Sequence, residues 1–130
     1  MNNKIRVFMV DDNKDIVSEV KEYFGSHASI EVVDAAYDGK EALEKLSTNY
    51  NNYDIVLMDL IIPKMDGLSV LEELSKKGIH LKSIITTSMN SASVISKCMQ
   101  VGVNYYMLKP YGFEALENHI ISIFNRKSNK

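Results

Sequence analysis

Short apolar runs alternate along this chain with longer stretches in which apolar residues recur every three or four positions. Ile5 to Val10, Ile30 to Ala36, Ile55 to Met58, Ser83 to Thr86 and Asn104 to Leu108 are rich in branched or aromatic side chains and too short for stable helices. They predict five strands. Between and after them, helical spacing links Ile16, Val17, Val20, Tyr23 and Phe24; Ala42, Leu43 and Leu46; Leu68, Val70, Leu71 and Leu74; Val94, Ile95, Cys98 and Val101; and Phe113, Leu116, Ile120 and Phe124. Each set lines one helix face. Gly25, Asp38-Gly39, Lys77-Gly78 and Gly102 punctuate the pattern. The fourth helix, roughly Ala92 to Val101, has the thinnest stripe and is expected to be the least securely packed.

Strands alternating with helices call for an α/β domain: a single five-stranded parallel sheet, helices on both faces, right-handed crossovers and strand order 2-1-3-4-5, the flavodoxin-like arrangement. The chain is organised around the run Tyr53 to Gly67. Its four apolar residues, Ile55 to Met58, suit a strand buried on both faces, and Asp59 follows at once. A carboxylate inside such a sheet would carry a large desolvation cost, so Asp59 is expected at the strand's C-terminal edge, where open α/β sheets bind ligands. Pro63 and Gly67 then turn the backbone out of the sheet. One domain over residues 1–125 is expected, with 126–130 as a tail or the start of a linker.

The composition changes this picture little. With 130 residues, 45% hydrophobic and 25% charged, one core is expected. The 15 Lys and Arg are interspersed with 17 Asp and Glu, for a net charge of −2, so direct nucleic-acid binding by this domain is not expected. One cysteine excludes an intramolecular disulfide, and no apolar run has the length of a signal or membrane segment. A cytoplasmic setting without a membrane role is expected. His27, His80 and His119 lack the close spacing of a metal site and read as surface residues.

The C-terminal ends of parallel strands share one rim, which there collects Asp11, Asp12, Asp59, Thr87 and Lys109. Taken singly, Asp11-Asp12 reads as a helix-start pair, Thr87 as a helix cap and Lys109-Pro110 as a turn. Their joint placement alters that reading. Unit charges about 4 Å apart repel by roughly 4 kcal/mol at an effective dielectric near 20, so the carboxylates call for a cation or raised pKa values. Mg²⁺ suits a site with few carboxylates and leaves positions open for phosphate oxygens. Lys109 and Thr87 add a charge and a hydroxyl of the kind that steady phosphoryl groups. The combination describes phosphoryl transfer to an aspartate.

With Asp11-Asp12-Asn13, Asp59 followed by Pro63 and Asp66-Gly67, Thr87 before the small Ser88, Gly102, Tyr106 and Lys109-Pro110, the chain resembles response-regulator receiver domains of the CheY-like type over nearly its whole length. Within them it looks most like receivers of the stage-zero sporulation regulators, through Ala36-Tyr37-Asp38-Gly39 and the run Asp59 to Pro63. The resemblance implies that Asp59 accepts a phosphoryl group from a sensor histidine kinase or a histidine phosphotransfer protein. It implies Mg²⁺ or Mn²⁺ held by Asp12, Asp59 and the backbone carbonyl of Ile61, with Asp11 acting through a water. Lys109 would pair with Asp59 or its phosphate. Thr87 would move to the phosphoryl group, Tyr106 would turn inward, and the surface of helix four, strand five and helix five would change. An output domain or downstream protein and a phosphorylation-dependent homodimer are implied as partners, and a cis Lys109-Pro110 bond as structure.

Several positions depart from the commonest pattern of that family. Ile61 and Met89, two residues beyond Asp59 and Thr87, are apolar, Ser88 replaces an alanine, and Gly112 stands where an acid often caps the last helix. Thr86 precedes Thr87, so the choice of hydroxyl rests on register. A haloacid-dehalogenase-type phosphatase is disfavoured because it needs an acid where Ile61 stands. A flavodoxin-like electron carrier is disfavoured because no Ser/Thr/Gly-rich loop follows the first strand. A receiver that is never phosphorylated and acts as a protein-binding module stays open.

Overall fold

The computed structural model describes residues 3–126. The predicted tail therefore lies, but for Arg126, outside the described residues. The elements run β1 (Ile5–Val10), α1 (Lys14–Tyr23), β2 (Ile30–Ala36), α2 (Gly39–Asn49), a 3-10 turn (Tyr50–Asn52), β3 (Ile55–Asp59), α3 (Gly67–Lys76), β4 (Lys82–Thr87), α4 (Ala92–Val101), β5 (Tyr105–Leu108) and α5 (Phe113–Asn125). All neighbouring strands are parallel, in the order β2-β1-β3-β4-β5. This is the architecture that the periodicity predicts.

The sheet separates two apolar layers. Phe8, Val10, Val56, Met58 and Ile85 pack with α2, α3 and Cys98 of α4, whereas Val7, Met9, Ile55, Leu57 and Ile84 pack with α1 and α5. Alternate residues of a strand face opposite sides, so β3, covered on both, buries all five of its residues. The rest of the sheet is hung about this post.

The helices start on side-chain caps where the sequence offers them. The carboxamide oxygen of Asn13 accepts from Asp15 and Ile16, Asp38 from Glu41, and Asp66 from Ser69. Gly112 starts α5 without such a cap. Gly102 ends α4 at φ 98°, the left-handed conformation that glycine adopts freely. Only Cys98 of α4 is fully buried, which matches its thin stripe.

Several boundaries and faces differ from the sequence reading: β3 runs one residue further, through Asp59, and β5 begins one later, at Tyr105. β4 begins one residue earlier and runs one later, because Lys82 and Thr87 both keep ladder register, with Ile55 and Leu108. α5 buries Ile123 where the reading has Phe124. Phe124, 41% exposed, lies instead under the amine of Lys82, whose protons go to the carbonyls of Phe124 and Arg126 at the end of the helix. His27, read as a surface residue, is half-buried: Nδ1 accepts from the amides of Ser29 and Ile30, and Nε2 lies 3.1 Å from Glu117. It ties the α1–β2 turn to α5.

A bulge in β2, between the partners of Val7 and Phe8, turns Asp34 toward Tyr53 and Lys45. Its carboxylate accepts from the Tyr53 hydroxyl at 2.7 Å, the Ala35 amide at 2.8 Å and Lys45 at 3.3 Å. Burial alone would raise the Asp34 pKa; these hydrogen bonds outweigh it and hold it below the usual carboxylate range, as Arg6 does for Asp54. A depressed folded-state pKa gives stability that is complete above the unfolded value, about 3.9, and is lost as pH falls through the folded value. Chemical denaturation at pH 6 and at pH 3 should therefore show a stability loss in acid. Asp34→Asn should cost about 1 kcal/mol at pH 6 and flatten that acid dependence.

Candidate functional site

The C-terminal ends of β1, β3 and β5 bring Asp11, Asp59 and Lys109 into direct contact. The Lys109 amine donates to Asp11 Oδ2 and to Asp59 Oδ2, both at 2.8 Å. Strand parity explains the meeting. Met9, Leu57 and Met107 all point toward α1 and α5, and two residues further along the same faces stand Asp11, Asp59 and Lys109. Asp12 is exposed beside them, and one carboxylate oxygen from each of Asp11, Asp12 and Asp59 lies within 4.8 Å of the others.

The electrostatics are unbalanced. Three carboxylates face one ammonium, leaving about two negative charges when all are ionised. Burial pushes the Asp59 carboxyl up; the Lys109 hydrogen bond opposes this and the neighbouring Asp11 adds to it, for a net rise. Burial would pull Lys109 down, yet its bonds to Asp11 and Asp59 outweigh that and its pKa is raised. Lys109 stays a cation. The donor set is all hard oxygen, and the residual charge matches one divalent ion, so the residues fit Mg²⁺ or Mn²⁺. Asp12, exposed, is the acid most open to such an ion. Asp11 is more occupied, its Oδ1 accepting from Asn13 at 2.9 Å and its Oδ2 from Lys109.

The loop after β3 completes the rim. Ile61 donates its amide to Asp59 Oδ1 at 3.2 Å. No hydrogen-bond donor takes its carbonyl among the described residues, so the oxygen is open to a cation. Gly67 runs so close under β3 that a Cβ there would lie 2.6 Å from the Asp59 carbonyl, which is why a glycine ends the loop. The Pro63 carbonyl accepts from Met65 and, across the rim, from Gly39. The Lys109-Pro110 bond is cis.

The second hydroxyl side of the site lies on β4. Thr86 pairs in register with Asp59, but alternation places it with Ile84 toward α1 and α5, while Thr87 follows Ile85 toward α4. Tyr106 of β5 is on that same α4 side, opposite Ile85. Thr87 Oγ1 accepts from the Met89 amide at 3.1 Å, and the Tyr106 hydroxyl donates to the Met89 carbonyl. One peptide segment thus links the two residues. Ser88 is exposed next to Lys109, where Asn13, Ile16, Pro110 and Tyr111 enclose a recess of about 530 Å³ with it. Ile61 and Met89, at 58% and 39% exposure, stand as apolar side chains on the open rim.

Residues 7–121 match the sequence family described as the response regulator receiver domain. The chain belongs to that family. The receiver domain of Francisella response regulator 1452 is 30% identical, with a TM-score of 0.84 over 95% of this chain and 98% of that one. CheY from Borrelia burgdorferi, crystallised in a complex with CheX, BeF3 and Mg²⁺, is 27% identical with a TM-score of 0.87, covering 95% of this chain and 92% of that one. The signal receiver domain of NarL from Mycobacterium tuberculosis, 22% identical over 96% of this chain and 99% of that one with a TM-score of 0.86, shares the fold. The chain is a receiver domain of two-component signalling with a CheY-like fold. These matches give the family and leave the subfamily open.

The structure brings Asp11, Asp12, Asp59 and Lys109 together, as the sequence implies, and shows three features that the sequence reading lacks. That reading pairs Lys109 with Asp59 and does not see the equal bond to Asp11. It gives no part to Met89's backbone, whose role depends on a turn. It passes over Tyr111, whose hydroxyl is buried without a partner among the described residues and whose pKa is pushed up to about 12 by burial and by the Asp11 charge. Among these only Tyr111 carries a signal, as a polar atom next to the Lys-Pro pair.

Since the folded state raises the Asp59 pKa, its ionisation costs stability at neutral pH. Asp59→Asn, which leaves Lys109 paired with Asp11, should raise stability by about 1 kcal/mol in urea denaturation with EDTA present.

Proposed function

We propose that this receiver is a phosphorylation switch in which Asp59 accepts a phosphoryl group from the phosphohistidine of a sensor kinase or phosphotransfer protein. The observation that carries the reading is the Lys109 amine, held at once by Asp11 and Asp59 within an acidic cluster of residual charge. Mg²⁺ or Mn²⁺, held by Asp11, Asp12, Asp59 and the Ile61 carbonyl, would neutralise charge on the phosphoryl oxygens. The Borrelia neighbour, crystallised with BeF3 and Mg²⁺, supports that chemistry.

In the transfer, an Asp59 carboxylate oxygen forms the new bond to phosphorus while the bond to the imidazole nitrogen breaks, the nitrogen keeping the electron pair. Lys109, already against Asp59 Oδ2, follows the developing charge onto the phosphoryl oxygens. Thr87 supplies a hydroxyl. As Thr87 Oγ1 turns to the phosphoryl group it gives up the Met89 amide, and the same segment bears on Tyr106 through the Met89 carbonyl. Rearrangement of the surface of α4, β5 and α5 follows, since α4 buries only Cys98. That surface would meet a downstream protein, an output domain that controls transcription, or a second phosphorylated copy.

The domain turns over no separate substrate; hydrolysis of its own phosphoaspartate resets it. No helix among the described residues is long and apolar enough to cross a membrane, and a cytoplasmic setting accords with a histidine kinase partner. The exposed Ile61 and Met89 flank the path of attacking water and lengthen the life of the phosphoaspartate.

Intact mass after incubation with acetyl phosphate should show a gain of one phosphoryl group that needs Mg²⁺ and vanishes in Asp59→Asn. Failure with small donors and with candidate kinases alike would instead identify a receiver that acts by binding alone. Ile61→Asn and Met89→Glu should each speed loss of the phosphoryl group, by about tenfold for a barrier change of roughly 1.4 kcal/mol. Unchanged lifetimes would remove the screening role.

A further inference from the structure

The loop that presents Ile61 is moulded against an element that contributes no carboxylate to the site. Its ends are fixed by the sheet and α3: Leu60 donates to the Thr86 carbonyl and Gly67 to the Leu60 carbonyl, both at 2.8 Å. Between them, the β2–α2 junction takes hold. The Gly39 amide donates to the Pro63 carbonyl at 3.0 Å. The Asp38 carboxylate lies 3.5 Å from the Lys64 amine, and Lys64 adopts φ 72°, a conformation that residues other than glycine rarely hold without support. The fit is closest at Gly39, where an added Cβ would fall 1.9 Å from the Met65 carbonyl oxygen and 2.7 Å from its carbon. Both are main-chain atoms, so no rotamer change relieves the overlap.

From this geometry we infer that Asp38-Gly39 is a positioning clamp that sets the Ile61 carbonyl for the divalent cation. The inference rests on the reading that the cluster holds such a cation. Mg²⁺ demands near-ideal octahedral geometry with oxygens at about 2.0–2.1 Å. A carbonyl on a loop has no side-chain freedom with which to meet that demand, so the peptide planes around it must be placed beforehand. The Pro63 carbonyl, two residues on, is the point at which α2 sets them. A Cβ on Gly39 would push Met65, and with it the Pro63 hydrogen bond, away from α2. The carboxylates of Asp11, Asp12 and Asp59 would keep their places on β1 and β3.

Calorimetric titration of the full chain with Mg²⁺ tests this, comparing the native protein, Gly39→Ala, Asp38→Asn and Ile123→Val. The last trims the core beneath α5 and controls for lost stability. Gly39→Ala should weaken Mg²⁺ binding by about tenfold or more, as supporting residues of metal sites do. Asp38→Asn, which keeps a good helix cap, should weaken it about twofold, and Ile123→Val should leave it unchanged. Should Gly39→Ala not fold, the native chain decides, because coupling is reciprocal. Mg²⁺ should then slow hydrogen exchange at the Gly39 amide beyond its effect on the Ala42 amide of the same helix. A folded Gly39→Ala with native affinity, or equal slowing at both amides, overturns the clamp while the cation reading stands. Native protein that takes up no Mg²⁺ overturns both.

Discussion

Asp59 ends a strand buried along its whole length, next to the buried Asp11, and the Lys109 amine is bonded to both. Among the described residues only the amides of Ile61 and Asn13 add to that bond, so net negative charge remains and the cluster is held by covalent placement on three strands more than by its own attraction. Packing beneath supplies the force. Ile55, Leu57 and Met58 are anchored from both faces, and each completely buried side chain of this size is worth roughly 1.5–3 kcal/mol. A stable post can thereby carry an acid whose ionisation opposes folding.

How much of this was legible in the sequence follows from which contacts are local. Strand and helix periods and the edge position of Asp59 depend on neighbours along the chain and can be read directly, whereas the order of the sheet comes from the arrangement common to alternating strands and helices. The shared rim of parallel strand ends then predicts the convergence of Asp11, Asp59 and Lys109, which strand parity completes in the structure. What escaped depends on contacts distant in sequence or on main-chain geometry: Lys82 reaching the end of α5, His27 binding two amides and Glu117, and Met89 holding Thr87 and Tyr106 through its peptide groups. Ile123 outranks Phe124 because the seat at the end of α5 is settled by Lys82, which no helical period contains.

Glycine marks a third kind of information. Asp38-Gly39 is recognisable in sequence as a turn, and Gly67 as the end of a loop, but neither label says what passes nearby. Both prove to be places where main chain meets main chain, Gly67 beneath the Asp59 carbonyl and Gly39 beneath Met65. The loop bearing Ile61 is therefore enclosed by two residues that lack a Cβ, one on α3 and one on α2. A rim that must hold an ion to a fraction of an ångström gains most from such contacts, since main-chain atoms cannot swing aside as side chains do.

The helices on the sheet are seated unequally, α4 the least deeply of the five described. On the α1–α5 side, Tyr111, Phe113, Tyr23 and Phe24 form a continuous aromatic series, closed by the His27–Glu117 pair. On the other side, α4 rests on Cys98 and a few half-buried residues. Thr87 and Tyr106 both open toward α4, by the same alternation that turns Asp59 and Lys109 toward α1 and α5. The charged groups of the rim are thus seated toward α1 and α5, and its hydroxyls lead to α4. The asymmetry follows from strand parity and apolar content alone: of the five described helices α4 has the fewest buried residues, and it is the one toward which Thr87 and Tyr106 open.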